Sequence, residues 1–208
     1  MNKKNAYADW ARIYDSNENL TRDLDRQILP HLLKDIKDKH IIEAGCGTGK
    51  NTVWFAQEAR KVIAFDLSDH MLRIATEKVQ AEHVRIIKHD ILKTWPVDDL
   101  SADIVSINLV LEHFPTIDFP IQEAYRVLKE RGILCVCELH PQKHLSGSQA
   151  KYVDPDTNTV VNIESYMHMH EEFEDAGRHC GFTQVRFQDW YDEVNHNIPR
   201  LLSVLYQK

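Results

Sequence analysis

The chain has 208 residues, with 32 Asp+Glu against 25 Lys+Arg and a net charge of −7. That is the length of one ordinary domain, able to bury a full core without disulfide or metal staples, and 43% hydrophobic content excludes general disorder. An acidic balance with no clustered basic surplus argues against a nucleic-acid partner or a polyanionic substrate.

The longest apolar run, 104–111, contains Ser106 and Asn108 and is far too short to span a membrane. Met1-Asn2-Lys3-Lys4 begins like a leader, but no apolar stretch follows it. The expectation is therefore a cytoplasmic protein without membrane contact. Cys46, Cys135, Cys137 and Cys180 form no C-x-x-C pair and read as reduced, mostly buried thiols.

The first forty residues read as helix. Leu20, Leu24, Ile28, Leu32 and Ile36 recur at spacing four and make one apolar stripe, interrupted by Pro30, where a kink or a break is expected. From residue 40 strands alternate with helices: strand His40–Ala44, helix 50–60, strand Lys61–Asp66, helix 69–80, strand 83–89, strand 103–108, helix 121–129 and strand 132–139. This alternation predicts an α/β fold with a parallel sheet covered on both faces, and the strands are apolar throughout, as doubly buried strands should be. At the end, 182–190 and 200–206 read as strands with only about ten residues between them and no helical pattern. A parallel crossover needs a dozen or more residues, so the last strand should run antiparallel to its predecessor.

Three of the seven glycines fall in Glu43-Ala44-Gly45-Cys46-Gly47-Thr48-Gly49, between a strand and a helix. Such a turn lets a ligand approach the main chain without interference from a Cβ. The spacing is G-x-G-x-G and not the G-x-G-x-x-G of a dinucleotide loop, and no G-K-[ST] follows, which excludes a Walker loop. Glu43 beside the turn would repel a pyrophosphate but suits a ligand carrying an ammonium group.

These residues resemble motif I of the class I methyltransferases that use S-adenosylmethionine, and the later motifs agree in order. Asp66 ends the second strand in Phe65-Asp66-Leu67-Ser68; His89-Asp90-Ile91 follows the third; Ser106-Ile107-Asn108-Leu109 closes the fourth. The resemblance extends over about 7–208 and implies a doubly wound, seven-stranded Rossmann-like sheet with an antiparallel last strand, N-terminal helices and a small β-hairpin insertion after strand five. It implies S-adenosyl-L-methionine as cofactor, with S-adenosyl-L-homocysteine as product. By the family pattern Asp66 would take the ribose hydroxyls, Asp90 the adenine amino group and Ile91 the ring. Gly45, Cys46, Gly47 and Gly49 would form the cradle. Glu43 and the main chain at Asn108 and Leu109 would lie near the methionine ammonium. Leu67 and Met71 would flank the adenine, or serve as plain core. Tyr7, Trp10 and Tyr14 resemble the N-terminal segment that covers the cofactor in small-molecule members, although three aromatics could equally pack a helix down.

The organisation expected is one methyltransferase domain over 1–208: a helical lid at 1–38, a cofactor-binding core at 39–140, a substrate-side insertion at 141–169, and a C-terminal helix with an antiparallel strand pair at 170–208. No Asn/Asp-Pro-Pro-aromatic sequence follows strand four and no Pro-Cys pair occurs, which disfavours nucleic-acid acceptors. The expected acceptor is a small molecule. In the insertion, strands Lys151–Val153 and 159–163 flank the turn cluster Asp154-Pro155-Asp156-Thr157-Asn158 and predict a hairpin over the sheet's carboxyl edge. Tyr152, Tyr166, His168 and His170 are the substrate-side candidates there. His113 and His140 are the candidate catalytic bases, because imidazole suits deprotonation of a hydroxyl acceptor. His140, His144, His168, His170 and His113 could also be polar surface, and their spacing is weak as a metal signature, so no metal is expected. The chain should be a monomer or a homodimer. The rival functions are an NAD-dependent oxidoreductase and a catalytically silent binding module.

Overall fold

The computed structural model describes residues 11–154 and 156–208. Tyr7 and Trp10 lie outside the described residues.

Helix α1 is Leu20–Leu32. Asn19 caps it by accepting hydrogen bonds from the Thr21 and Arg22 amides. Pro30 lies in its last turn and the helix stops at Leu32, so Ile36, although buried, comes from the following loop. The stripe is shorter than its spacing suggested, because a proline near the end leaves few later turns to propagate.

There follow β1 (His40–Ala44), α2 (Lys50–Glu58), β2 (Lys61–Asp66), α3 (Asp69–Lys78), β3 (Val84–Lys88), β4 (Ala102–Asn108) and a 3-10 turn (Leu111–His113). The second half has α4 (Asp118–Val127), β5 (Leu128–Leu139), α5 (Pro141–Leu145), β6 (Lys151–Val153), β7 (Val160–Asn162), α6 (His170–Cys180), β8 (Gln184–Trp190) and β9 (Leu201–Gln207). Two expectations shift here. The fourth helix begins and ends earlier than expected, because β5 takes up residues from Leu128. A short helix, α5, opens the insertion where only loop was read.

Seven strands make one sheet in the order β3-β2-β1-β4-β5-β9-β8. β1 to β5 pair in parallel, and β9 is antiparallel to both β5 and β8. The last strand is thus inserted between two others, reversed, as loop length required. One sheet face is covered by α4 and α6 through Ile42, Phe65, Val105, Leu134, Val204 and Tyr206. The other packs on α1, α2 and α3 through Ile41, Val62, Ala64, Ile104 and Cys135. The hairpin β6–β7 pairs Lys151 with Asn162 and Val153 with Val160. All four cysteines are free, and Cys46, Cys135 and Cys137 are buried. Among the described residues no helix is long and apolar enough to cross a membrane.

In this topology β1 and β4 are neighbours whose following helices leave to opposite faces, α2 to one and α4 to the other, while β2 and β5 lie on either side. The carboxyl edge between β1 and β4 is the switch point where open α/β sheets bind ligands.

Candidate functional site

The glycine turn sits at that edge. Gly45 takes φ +79 and donates to the Phe65 carbonyl at 2.8 Å. A Cβ there would lie 2.3 Å from Val110 Cγ2, so the turn packs directly on the loop after β4. Gly47 takes φ +52 and differs in kind: a Cβ there would meet nothing within 4 Å. Its bare side faces open space, as a cradle for an incoming group requires. Gly49 is the left-handed N-cap of α2. Cys46 is buried, its thiol pushed up by burial.

Asp66 joins the turn to the end of β2. Its carboxylate accepts from the Gly47 amide at 2.9 Å and the Ser68 amide at 2.8 Å. Burial nonetheless pushes its carboxyl above the ordinary range. Two oxygens carry about four lone-pair sites, so two amides leave capacity for a pair of hydroxyl donors. Beside it Leu67 is 56% exposed, an apolar side chain presented to solvent at the site, whereas Met71 is buried. Ile91 is buried, and its carbonyl accepts from the Trp95 indole at 3.1 Å. Asp90 closes a turn by accepting from the Leu92 amide at 3.0 Å.

Glu43 is buried at the end of β1 and accepts from the Thr52 hydroxyl at 2.5 Å. Burial pushes its carboxyl up to about 8, so it holds a proton near neutrality until a cation arrives to favour the charged form. A ligand ammonium fits that position. Asp25, missed in the sequence, is 1% exposed on α1. It accepts from Asn51 Nδ2 at 2.9 Å and Asn108 Nδ2 at 2.6 Å and lies 3.5 Å from Lys50 Nζ, tying α1 to α2 and to the end of β4. The signal was present: Asp25 stands three residues before Ile28, on the face of the apolar stripe, where an unpaired charge would be costly.

The N-terminal segment closes over this turn. Asp15 accepts from the Thr48 hydroxyl at 2.8 Å and pairs with Lys78. Tyr14 has Arg22 over its ring at 5.4 Å and packs in a small apolar cluster with Tyr152 and Ile163 of the insertion. Burial raises its phenol, which lies within electrostatic reach of Asp25, Asp66 and Glu112. Arg12 pairs with Asp156 at 2.9 Å, a second bridge from this segment to the hairpin.

After Asn108 the chain turns sharply. Leu109 takes φ +57 and donates to the Cys137 carbonyl at 2.8 Å. The next three amides, of Val110, Leu111 and Glu112, point at the Glu138 carboxylate at 2.9, 2.9 and 3.4 Å. Glu138 is buried on β5, and burial lifts its carboxyl to about 8. His168 supports the same turn from below: Nε2 faces the Leu111 and Phe114 carbonyls at 3.2 and 3.0 Å, and Nδ1 the Glu172 carboxylate at 2.9 Å. A substrate role was expected of His168, but both its nitrogens face protein groups. The Tyr166 amide donates to the Glu112 carbonyl at 2.7 Å.

His140 is 3% exposed at the end of β5. Its Nδ1 accepts from the Gln142 amide at 3.1 Å, capping α5. In the neutral ring, which burial favours, the proton therefore sits on Nε2, 3.2 Å from Asp189 Oδ1. That ring has no spare lone pair with which to take an acceptor's proton. His170 packs against Phe187 in a tilted ring contact with centroids 4.9 Å apart. His140, His170 and Asp189 bring one possible ligand atom each within 4.8 Å of one another. A metal on His140 Nε2 would have to displace the Gln142 amide from Nδ1, since a neutral imidazole cannot present two lone pairs.

A cavity of about 290 Å³ opens between α1, the β4 loop and the insertion, lined by Tyr14, Arg22, Leu109, Glu112, Leu139 and Arg200 among others. Tyr152, Tyr166, His113, His140, His168 and His170 are not among its described lining residues.

Residues 42–136 match the family described as methyltransferase domain. An uncharacterized methyltransferase of Emericella nidulans is 28% identical, covering 86% of this chain and 75% of that protein. A malonyl-[acyl-carrier protein] O-methyltransferase of Pectobacterium atrosepticum is 30% identical over 64% of this chain, which spans about half (51%) of that protein's length. Among solved structures, an S-adenosylmethionine dependent methyltransferase from Mesorhizobium loti superposes with a TM-score of 0.76 at 15% identity, covering 91% of this chain and 100% of the other. The complex of DhpI with SAH gives 0.72 at 18% identity, covering 98% and 94%. At these identities the structures speak to the fold.

Proposed function

We propose that the chain is a class I S-adenosylmethionine-dependent methyltransferase, the family its methyltransferase-domain match and its relatives support, and that it transfers a methyl group to a small-molecule acceptor held in the cavity beside Leu109 and Glu112. When bound, the cofactor supplies an electrophilic methyl group on a sulfonium sulfur; the protein's part is to hold, orient and dehydrate.

The observation that carries this reading is the pairing of a glycine whose bare face is open, Gly47, with the carboxylate of Asp66 at hydrogen-bond distance from its amide. Asp66 would take the ribose hydroxyls on its remaining lone pairs. Leu67, Met71 and Ile91 would line the adenine site, with Asp90 at its edge. Glu43 and the main chain at Asn108 and Leu109 would face the ammonium group. Gly45, Cys46 and Gly49 shape the turn itself. Tyr14, held under Arg22, would exclude water from the methyl group. On this reading 141–169 is the acceptor-side insertion of a single domain. His113 and His140 would then shape the acceptor side from outside the cavity wall.

Calorimetric titration with S-adenosylhomocysteine and with NAD tests the cofactor assignment, and labelled cofactor with a metabolite library tests the acceptor class. Binding of the first ligand alone and a labelled small-molecule product are expected. Preference for NAD would sink the reading.

A further inference from the structure

We propose that Glu112 is the group that takes the proton from the methyl acceptor, and that the acceptor therefore presents an O–H or N–H group and not a carboxylate. This deepens the methyltransferase reading and rests on it. The other buried acids of the site are engaged by donors: Asp25 by Asn51 and Asn108, Glu43 by Thr52, and Glu138 by main-chain amides. Glu112 is 7% exposed, and its Oε2 is buried without a hydrogen-bond partner. Burying a carboxyl oxygen with no donor is costly, and the chain does so on the wall of the cavity that also contains Tyr14, Leu109 and Leu139.

The turn that carries Glu112 is held firmly. Glu138 accepts its amide, Tyr166 donates to its carbonyl, and His168 holds the carbonyls of Leu111 and Phe114. The carboxyl is thus positioned by main chain on both sides, as a proton acceptor needs to be. Four titratable groups face it. His144 on α5 brings Nε2 to 3.7 Å from Oε2 and is kept neutral by burial. His168 attracts its charged form; Glu138 and Tyr14 lie within electrostatic reach. Arg22, Lys151 and Arg200 also line the cavity. Arg22 is bonded to Asn17 and Asp23, and Arg200 is bonded to Asp192 and Thr21. The balance lifts the Glu112 carboxyl to about 7, chiefly through burial.

In the step that follows, the acceptor's oxygen or nitrogen forms a bond to the methyl carbon as the carbon–sulfur bond breaks and its electron pair stays on sulfur. The acceptor's proton passes to the Glu112 carboxylate, with His144 Nε2, 3.7 Å from Oε2, as the nearest relay. A carboxylate acceptor has no proton to give and would set a second anion against Glu112.

The test incubates wild type, Glu112→Gln and Glu112→Asp with labelled S-adenosylmethionine and a library of small phenols, amines and carboxylic acids between pH 5.5 and 9. The wild type should methylate a phenol or an amine, its rate rising through a limb near neutral pH. Glu112→Gln should lower kcat by roughly 10²–10⁴-fold and abolish that limb, with S-adenosylhomocysteine affinity unchanged within about threefold. Glu112→Asp should restore part of the rate. A methyl ester as the product, or a Glu112→Gln enzyme as fast as wild type, overturns the assignment. Loss of S-adenosylhomocysteine binding in either variant would assign Glu112 a structural role instead. A wild type that binds S-adenosylhomocysteine but labels no library member overturns the small-acceptor reading beneath it.

Discussion

The two halves of the carboxyl edge are built in different ways. On the side proposed for the cofactor, the groups sit at strand ends within short sequence runs: Glu43 to Gly49 at the end of β1, Asp66 and Leu67 at the end of β2, Asp90 and Ile91 after β3. Each is placed by its own strand and bonded to a close neighbour. On the side proposed for the acceptor, the groups come from distant segments. Glu112 follows β4, its turn is held by Glu138 of β5 and by Tyr166 and His168 before α6, and it lines a cavity together with Tyr14 and the insertion. On the proposed reading, the cofactor would be recognised by local main-chain geometry and the acceptor by tertiary assembly.

The largest effect is expected of Gly47→Val. The space beside Gly47 is open, so the fold should lose only the strain of φ +52, about 1–2 kcal/mol. S-adenosylhomocysteine binding, read by calorimetry, should fall below detection. Normal binding would show that the turn is not the cradle.

Asp66→Ala should act next most strongly. Losing hydrogen bonds from a charged acceptor weakens S-adenosylhomocysteine by about 1.5–3 kcal/mol. Because Asp66 also holds the Gly47 and Ser68 amides, denaturant titration should show a stability loss of about 1–3 kcal/mol. A fall in affinity with no change in stability would mean that those two amide bonds carry no weight in the fold.

Replacing 146–162 by a short Gly/Ser linker sharpens the boundary between the halves. Methylation of the acceptor should be lost. Cofactor affinity should fall modestly, by roughly three- to tenfold, because Tyr152, Ile163 and Asp156 brace the Tyr14 segment. A larger loss would place the insertion on the cofactor side.

The smallest effect concerns protons. Glu43 has its folded value raised to about 8 by burial, well above its unfolded value near 4.3. Between those values the folded protein holds a proton that the unfolded chain has released. Stability from this group is therefore present at low pH and lost as pH rises toward 8. Glu43→Gln should flatten the unfolding free energy over that window. An ammonium group beside Glu43 would reverse the shift, so binding of S-adenosylhomocysteine at pH 7 should release up to about one proton. Calorimetry in buffers of different ionisation enthalpy reads this release, and Glu43→Gln should abolish it.

Much of the fold was legible from particular residues. The strands His40–Ala44 and Lys61–Asp66 match residue for residue, because continuous Ile, Val and Ala runs bounded by a glycine turn or a serine cap leave little choice. The reversed β9 followed from the short connection after Trp190. The residues that proved hard were polar groups whose partners are far away in sequence. His140 reads as a candidate base and His168 as a substrate-side residue, with polar surface as the alternative, yet in the fold they hold the α5 N-terminus and the Leu111–His113 turn. Asp25 belongs to no local motif, yet it accepts a hydrogen bond from Asn108, 83 residues away.

The sequence by itself determined the layered α/β architecture and the glycine turn with its acids, because periodicity and turn chemistry act over a few residues and need no distant partner. Only the tertiary structure decided which buried carboxyl would stay without a donor. That choice depends on whether amides of a remote segment reach the oxygens. At Glu138 three do. At Glu112 Oε2 none does, so this residue of the cavity wall bears the desolvation of an unpartnered carboxyl oxygen.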